Sequence, residues 1–439
     1  MFPFRAMHRL PRLLFLLLTL PLAAQQTAVP EPVRTAFDAF RASAIRAHTA
    51  FLADDLLEGR GPGTRGDALA TKYAAAQFEA MGLEPAGDHG TFFQKVSLLG
   101  ITTDPEKSFV RFAKGGQPLL GPLVYRDEFA GGNQSQIPDA AVDAEVVFVG
   151  HGVAAPEYQW DDYKGVDVRG KVLIMLVDDP PATAKEPELF KGRARTYYGR
   201  WTYKYEIGAA KGAAAVILIH TDQAAGYGWQ VVRNSWSGEQ AYVKKPEGQH
   251  ALAFAGWVTE TVANDLFKAA GLDLARLVQQ AHTRAFRPVP LGITMQSRIT
   301  STIRPFDTAN VVAKLEGSDP VLKNEAVLYT AHHDHIGIGT PDDDDPADTI
   351  YNGAIDNASG TATVLEIARV WSRITPRPKR SILFALVAAE EQGLLGSEFF
   401  GAHPPIPAGR IAMGLNLDAI YLFGETTSIT MIGIDRTTF

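Results

Sequence analysis

Residues 380–391 read RSILFALVAAEE: a charged start, a continuous apolar run, and two adjacent acids, Glu390 and Glu391. The run is too short and too uninterrupted for an amphipathic helix and predicts a strand buried on both faces. Neighbouring side chains on a strand point to opposite faces, so both carboxylates can serve one site only if the chain turns there. Gly393 permits such a turn. An isolated Glu-Glu pair is more often the solvated start of a loop, because charged residues are mostly exposed. The rest of the chain has to overturn that reading.

From about residue 302 the sequence alternates NVVAKLEG, AVLYTAHHDH, GTATVLEIARVWSRI, RSILFALVAAEE and IAMGLNLDAI, which reads as strand, strand, helix, strand, strand. Val364, Leu365, Ala368 and Trp371 fall on one helical face. This is α/β patterning around a largely buried sheet. Three of the strands end in metal-ligand types: His332, Asp334 and His335 after the first, Glu390 and Glu391 after the second, and Asp418 on the last. Asp356 sits just ahead of the helix in YNGAIDNASG. Open α/β sheets bind ligands beyond the carboxyl ends of their strands, where these groups would converge. Each signal is weak alone, but their shared address is not.

Upstream, residues 32–83 carry helical spacing interrupted by the Gly and Pro loop GRGPGTRGD. The runs AEVVFVGHG, KVLIMLVDD and AAVILIHTD predict buried strands, with a helix at RWTYKYEIGAAKGA between the last two. Residues 125–290 are taken as a separate α/β module. The first 24 residues place Arg5, Arg9 and Arg12 before a short apolar core and then Ala23 and Ala24, the layout of a secretory signal peptide. An exported protein with no stable membrane insertion is the expectation. The chain has 439 residues, 46% hydrophobic and 21% charged, which is globular composition. It contains no cysteine, so disulfides, thiolate ligands and a cysteine nucleophile are excluded. A net charge of -7 offers no basic field for nucleic acid.

Imidazole with carboxylates suits zinc. There is no H-E-x-x-H helix and no G-x-S-x-G elbow, so metal-assisted hydrolysis is what the inventory supports. In their order, AHHDHIG, YNGAIDNASG, AAEEQGLLGS and LNLDAI resemble the secreted zinc aminopeptidases with two co-catalytic metals, to which glutamate carboxypeptidases are related. Residues 125–290 look like the protease-associated (PA) domain often inserted in that family, and DLLEGRGPGTRGDALATKYAAAQFEAMGLEPAG resembles its N-terminal segment.

The resemblance implies an α/β/α sandwich with a mostly parallel sheet, divided as signal peptide 1–24, N-terminal segment 25–124, PA insertion 125–290 and catalytic part 291–439. It implies two Zn2+ per complete chain and peptide substrates. His332 and Asp418 would ligate the first zinc, Asp356 would bridge, Glu391 would ligate the second, Glu390 would be the general base and Asp334 would orient His332. A cis peptide bond is expected after Asp356. The expected reaction is removal of N-terminal residues from peptides. A carboxypeptidase, a glutaminyl-cyclase-like enzyme and a non-catalytic PA-containing ectodomain are the alternatives. The family's last zinc-ligating histidine has no match in this sequence, which ends at ITMIGIDRTTF, so a longer reading frame is expected. Packing is the expectation for His333, hydrogen bonding to a ligand rather than ligation for His335, and structural roles for His151 and His220. His403 lies in a Pro-rich setting unlike the missing ligand's, and the acidic run 342–345 reads as a solvated loop.

Overall fold

The computed structural model describes residues 31–192, 194–339, 347–419 and 424. The leader-like start, the acidic run 342–345 and the apolar stretch after residue 424 lie outside them. The α/β class is as expected. Two halves share one 27-residue strand, Val289–Leu315. Its later part pairs antiparallel with Ser381–Val387 and with Phe93–Thr103. Its earlier part pairs antiparallel with Phe109–Lys114 and with Asp139–Phe148.

The boundary expected at 290/291 therefore falls inside a single strand. Over QSRITSTIRPFDTAN burial alternates along the strand and several inward positions are polar, among them Ser297 and Ser301, so the sequence there lacks the continuous apolar run of the inner strands. Two further elements change sides. Phe109–Lys114, placed by sequence in the N-terminal segment, pairs in the inserted half. Gln240–Val243, from the expected insertion, pairs antiparallel with Phe93–Thr103 in the other half.

In the C-terminal half, Ile411–Asn416, Ala326–His332 and Ser381–Val387 lie side by side and parallel. Alternation along Ser381–Val387 explains its unbroken apolar run. Phe384 and Leu386 enter a core with Phe78, Val364, Leu365 and Ala368 from the helices Arg65–Ala80 and Gly360–Arg373. Ala385 and Val387 enter the opposite layer, with Val312 and Phe400 of the helix Leu395–Ala402. Phe384 lies 6.0 Å from the Phe78 ring and 5.9 Å from Tyr329, so its truncation to Ala would cost about 3–5 kcal/mol. The helix face expected from Val364, Leu365 and Ala368 is fully buried, with Trp371 packed at its margin.

In the inserted half, Asp139–Phe148, Val172–Leu176, Ala215–His220 and Phe254–Thr259 run parallel, with Phe129–Gly132 antiparallel at the edge. The helices Glu260–Ala270 and Leu274–Ala281 cover one face, and Trp201–Ala210 covers the other. The last of these buries Lys204 completely. Its Nζ donates to the carbonyls of His151 at 2.7 Å and Asp178 at 3.2 Å.

Burial lowers the Lys204 pKa to about 8, with Asp162, Asp179 and Asp178 opposing the fall. An unfolded lysine titrates near 10.5, so between pH 8 and 10.5 the unfolded chain holds a proton that the folded chain has lost. Stability then rises with pH through that window, by on the order of 3 kcal/mol. Below pH 8 the ammonium is charged in both states and this slope disappears. Denaturant titrations at pH 8 and 10.5 should show the gap between wild type and Lys204→Met moving by that amount in favour of wild type. A gap independent of pH would mean that the amine is not desolvated as described.

Candidate metal centre

The strand Ala326–His332 delivers His332 to the carboxyl edge of the sheet, where it is buried. Beside it, Ser381–Val387 ends and the chain reverses at Ala389, which takes a left-handed φ of 52° immediately before the two acids. The turn thus begins earlier than Gly393, whose φ of 112° serves the next step of the reversal. Asp334, fully buried, holds it: its carboxylate accepts the backbone N–H of Glu390 at 3.1 Å and of Glu391 at 3.4 Å. One buried acid thereby binds the ends of two neighbouring strands.

The expected pairing of Asp334 with His332 takes a different form. His332 Nδ1 lies 3.2 Å from the Asp334 main-chain carbonyl and 3.7 Å from its carboxylate, which is beyond a hydrogen bond. Donation to that carbonyl places a proton on Nδ1 and turns Nε2 towards the acids. Asp356 Oδ1 lies 3.0 Å from Nε2, Asp418 Oδ1 3.4 Å and Glu390 Oε2 3.9 Å. Nε2 is buried yet makes no hydrogen bond of acceptable geometry. A buried nitrogen with no hydrogen bond among the described residues, faced by converging carboxylates, fits a cation's coordination sphere.

Among the described residues the donor atoms form overlapping groups: His332 with Asp356 and Asp418, His335 with Asp356 and Glu391, and His332 with Glu390 and Glu391. The first two share Asp356. His335 is nearer the chemistry than the sequence indicated, with Nδ1 2.5 Å from Glu391 Oε1.

Asp356 stands on an irregular turn, residues 354–359, that leads into the helix Gly360–Arg373, and its peptide bond to Asn357 is cis. Asn357 locks this turn to the segment carrying Asp418. Its Nδ2 donates to the Leu417 carbonyl at 2.9 Å, and its Oδ1 accepts from Gly360 N at 2.9 Å. A Cβ on Gly360 would lie 2.6 Å from the Leu417 carbonyl oxygen, so only glycine lets the helix start this close.

Burial opposes the charge on His332, but Asp334, Glu390 and Asp418 outweigh it and raise the imidazole to about 9 in the metal-free chain. Burial also lifts Glu390 to about 7, with Glu391, Asp334 and Asp418 adding to the rise and His332 opposing it. One carboxylate beside an imidazole has thus been raised by burial, the arrangement expected of a group that moves protons.

The other histidines stand elsewhere. His333 is buried, with Nε2 3.1 Å from the Ala309 carbonyl, and belongs to none of these groups. His403 stacks on Phe399 with ring centroids 4.4 Å apart, and it too is outside them. His151 and His220 bond the carbonyls of Asp178 and Tyr227. A cavity of about 400 Å³ lined by Tyr158, Glu186 and Arg284 lies in the inserted half, apart from the acids and imidazoles described above. Sequence reading passed over Asn310, buried, which donates to Gln94 and to the Gly396 carbonyl and accepts from Ala388 N, all at 2.9 Å. It also passed over Arg60. Neither lies at a strand end, where the sequence places its candidate ligands.

Fold and cluster together define a class: an α/β domain with an imidazole–carboxylate metal centre at the carboxyl edge of parallel strands. Within it, residues 310–437 match Peptidase family M28. A protein named probable zinc metalloprotease from Pyrenophora teres f. teres is 35% identical over 119 residues, 27% of this chain and 24% of its own length. Aminopeptidase NAALADL1 from Rattus norvegicus is 33% identical over 115 residues, 25% of this chain and 13% of its own. The chain thus spans a quarter or less of the length of these curated relatives. An aminopeptidase structure from Aneurinibacillus sp. strain AM-1 aligns over 88% of this chain and 72% of its own, with a TM-score of 0.42 and 19% identity.

Proposed function

We propose that the chain is a zinc-dependent exopeptidase that removes N-terminal residues from peptides. The observation that carries this reading is the pair of donor groups meeting at Asp356, with Glu390 beside them. His332, Asp356 and Asp418 would hold one zinc. Asp356 and Glu391, with His335 bonded to Glu391, would line the second. Zinc bound there polarises a scissile carbonyl and acidifies a water.

The chain's own residues supply the remainder. Asp334 fixes the backbone of both glutamates, so the Glu390 carboxylate is held in place before substrate arrives. Glu390 takes the proton from the attacking water and returns it to the departing amine, a task suited to a carboxylate balanced near neutrality. His332, tautomer fixed by its own loop, presents Nε2 without reorganisation.

The inserted half is read as the PA module bordering the cleft. Ala241 of the strand Gln240–Val243 packs with Ala389 and Leu395, behind the glutamate turn. Export is the reading of the N-terminal 24 residues. Among the described residues no helix is long and apolar enough to cross a membrane.

The test is a panel of aminoacyl-nitroanilides with free and acetylated amines, run with chelator and with added zinc. Cleavage of the free-amine compounds alone, lost to chelator and regained with zinc, is expected. Preference for N-blocked peptides with a free C-terminal carboxylate would instead favour the carboxypeptidase alternative, and zinc binding without any turnover the non-catalytic one.

A further inference from the structure

Arg60 is fully buried, yet among the described residues its side-chain hydrogen bonds all go to backbone carbonyls. Its Nε donates to the His333 carbonyl at 2.8 Å, between the two metal-site residues His332 and Asp334. Its Nη1 donates to the carbonyls of Leu52 and, at 2.7 Å, of Asn352. Its Nη2 donates to the Gly353 carbonyl at 2.9 Å, three residues before Asp356. In return, the Arg60 carbonyl accepts from His335 N at 3.3 Å. The side chain thus joins the end of the helix Ala42–Leu52 to both loops that carry the shared acid and the imidazoles.

We propose that Arg60 is the positioning residue of the metal centre, a guanidinium clamp that sets the spacing of the His332 and Asp356 loops through their backbone carbonyls. A planar fork of five N–H donors can span four carbonyls at fixed angles, whereas a lysine offers one flexible ammonium. The same cation stands close enough to Asp334, Glu391 and Asp356 for each of them to favour its charge. It balances part of the negative charge gathered there without occupying a ligand position. Asn352 works beside it, its Nδ2 donating to the Ala53 carbonyl at 2.9 Å and to Asp55 Oδ1 at 2.8 Å.

Arg60→Lys keeps the charge and loses the fork. Asn352→Ala loosens the same junction from a half-buried position. Phe267→Leu destabilises the separate core of the inserted half and serves as the control. Hydrogen–deuterium exchange on the metal-free chains reads the clamp directly: residues 331–339 and 350–360 should exchange about tenfold faster in Arg60→Lys and to a smaller degree in Asn352→Ala. Those segments should keep wild-type rates in Phe267→Leu.

Zinc affinity, measured by chelator competition, should fall roughly 10–100-fold in Arg60→Lys and stay unchanged in the control. This second arm rests on the metal-centre reading above. If the wild type bound no zinc, that reading would fail, while the exchange arm would still decide the clamp. Wild-type exchange in both loops of Arg60→Lys would overturn the proposal. Should Arg60→Lys not fold, wild-type exchange in Asn352→Ala would overturn it in the same way, and faster exchange in the two loops would support it.

Discussion

Glu390→Gln keeps its zinc and loses turnover by roughly 10²–10⁴-fold, the range expected when a proton-transfer group is removed and its shape retained. Distance favours Asp356 and Asp418 over Glu390 as the acids beside His332. Glu390 Oε2 is 3.9 Å from His332 Nε2, farther than Asp356 at 3.0 Å or Asp418 at 3.4 Å. The three nearest donors therefore suffice for one metal without it. Its elevated pKa, caused first by burial, is the property of a group that must be able to hold a proton near neutrality. Metal analysis and steady-state rates on the same preparation check this. Loss of zinc in parallel with activity would make Glu390 a ligand and reverse the roles of the two glutamates.

Asp356→Ala has the opposite signature, with metal content falling before any question of turnover arises. Asp356 is the acid common to the His332–Asp418 and His335–Glu391 groups, so its removal leaves each with two donors. Three protein ligands are the norm for catalytic zinc. Zinc retained after desalting should drop from the wild-type content to none, while circular dichroism stays native, because the Asp356 side chain is about half exposed and supports no core. One zinc per chain retained at wild-type affinity would contradict the sharing.

Much of this was legible because strands buried on both faces announce themselves. Within RSILFALVAAEE the run from Ile382 to Ala389 is unbroken apolar sequence, and its two faces enter two separate cores. Ligands at strand ends were legible for the same reason, since the end of an apolar run marks the edge of the sheet. What escaped notice acts through the main chain. The Asp334 carboxylate holds backbone N–H groups, and His332 leans on a backbone carbonyl, contacts that leave no mark on residue type at the receiving end. Arg60 is silent in the sequence for that reason as well, because its partners near the site lie more than 270 positions away and are all carbonyls. The domain edges were misplaced because Val289–Leu315 runs through both halves without a turn, Gly-Pro pair or charge block to mark the passage.

The central claim is a pair of metals sharing Asp356. Anomalous diffraction at the zinc edge from zinc-soaked crystals tests it most directly. Two peaks about 3.5–4 Å apart are expected on either side of the Asp356 carboxylate, one against His332 and Asp418 and the other against Glu391. A single peak that leaves Glu391 without a metal, or a peak that Asp356 does not touch, would contradict the account.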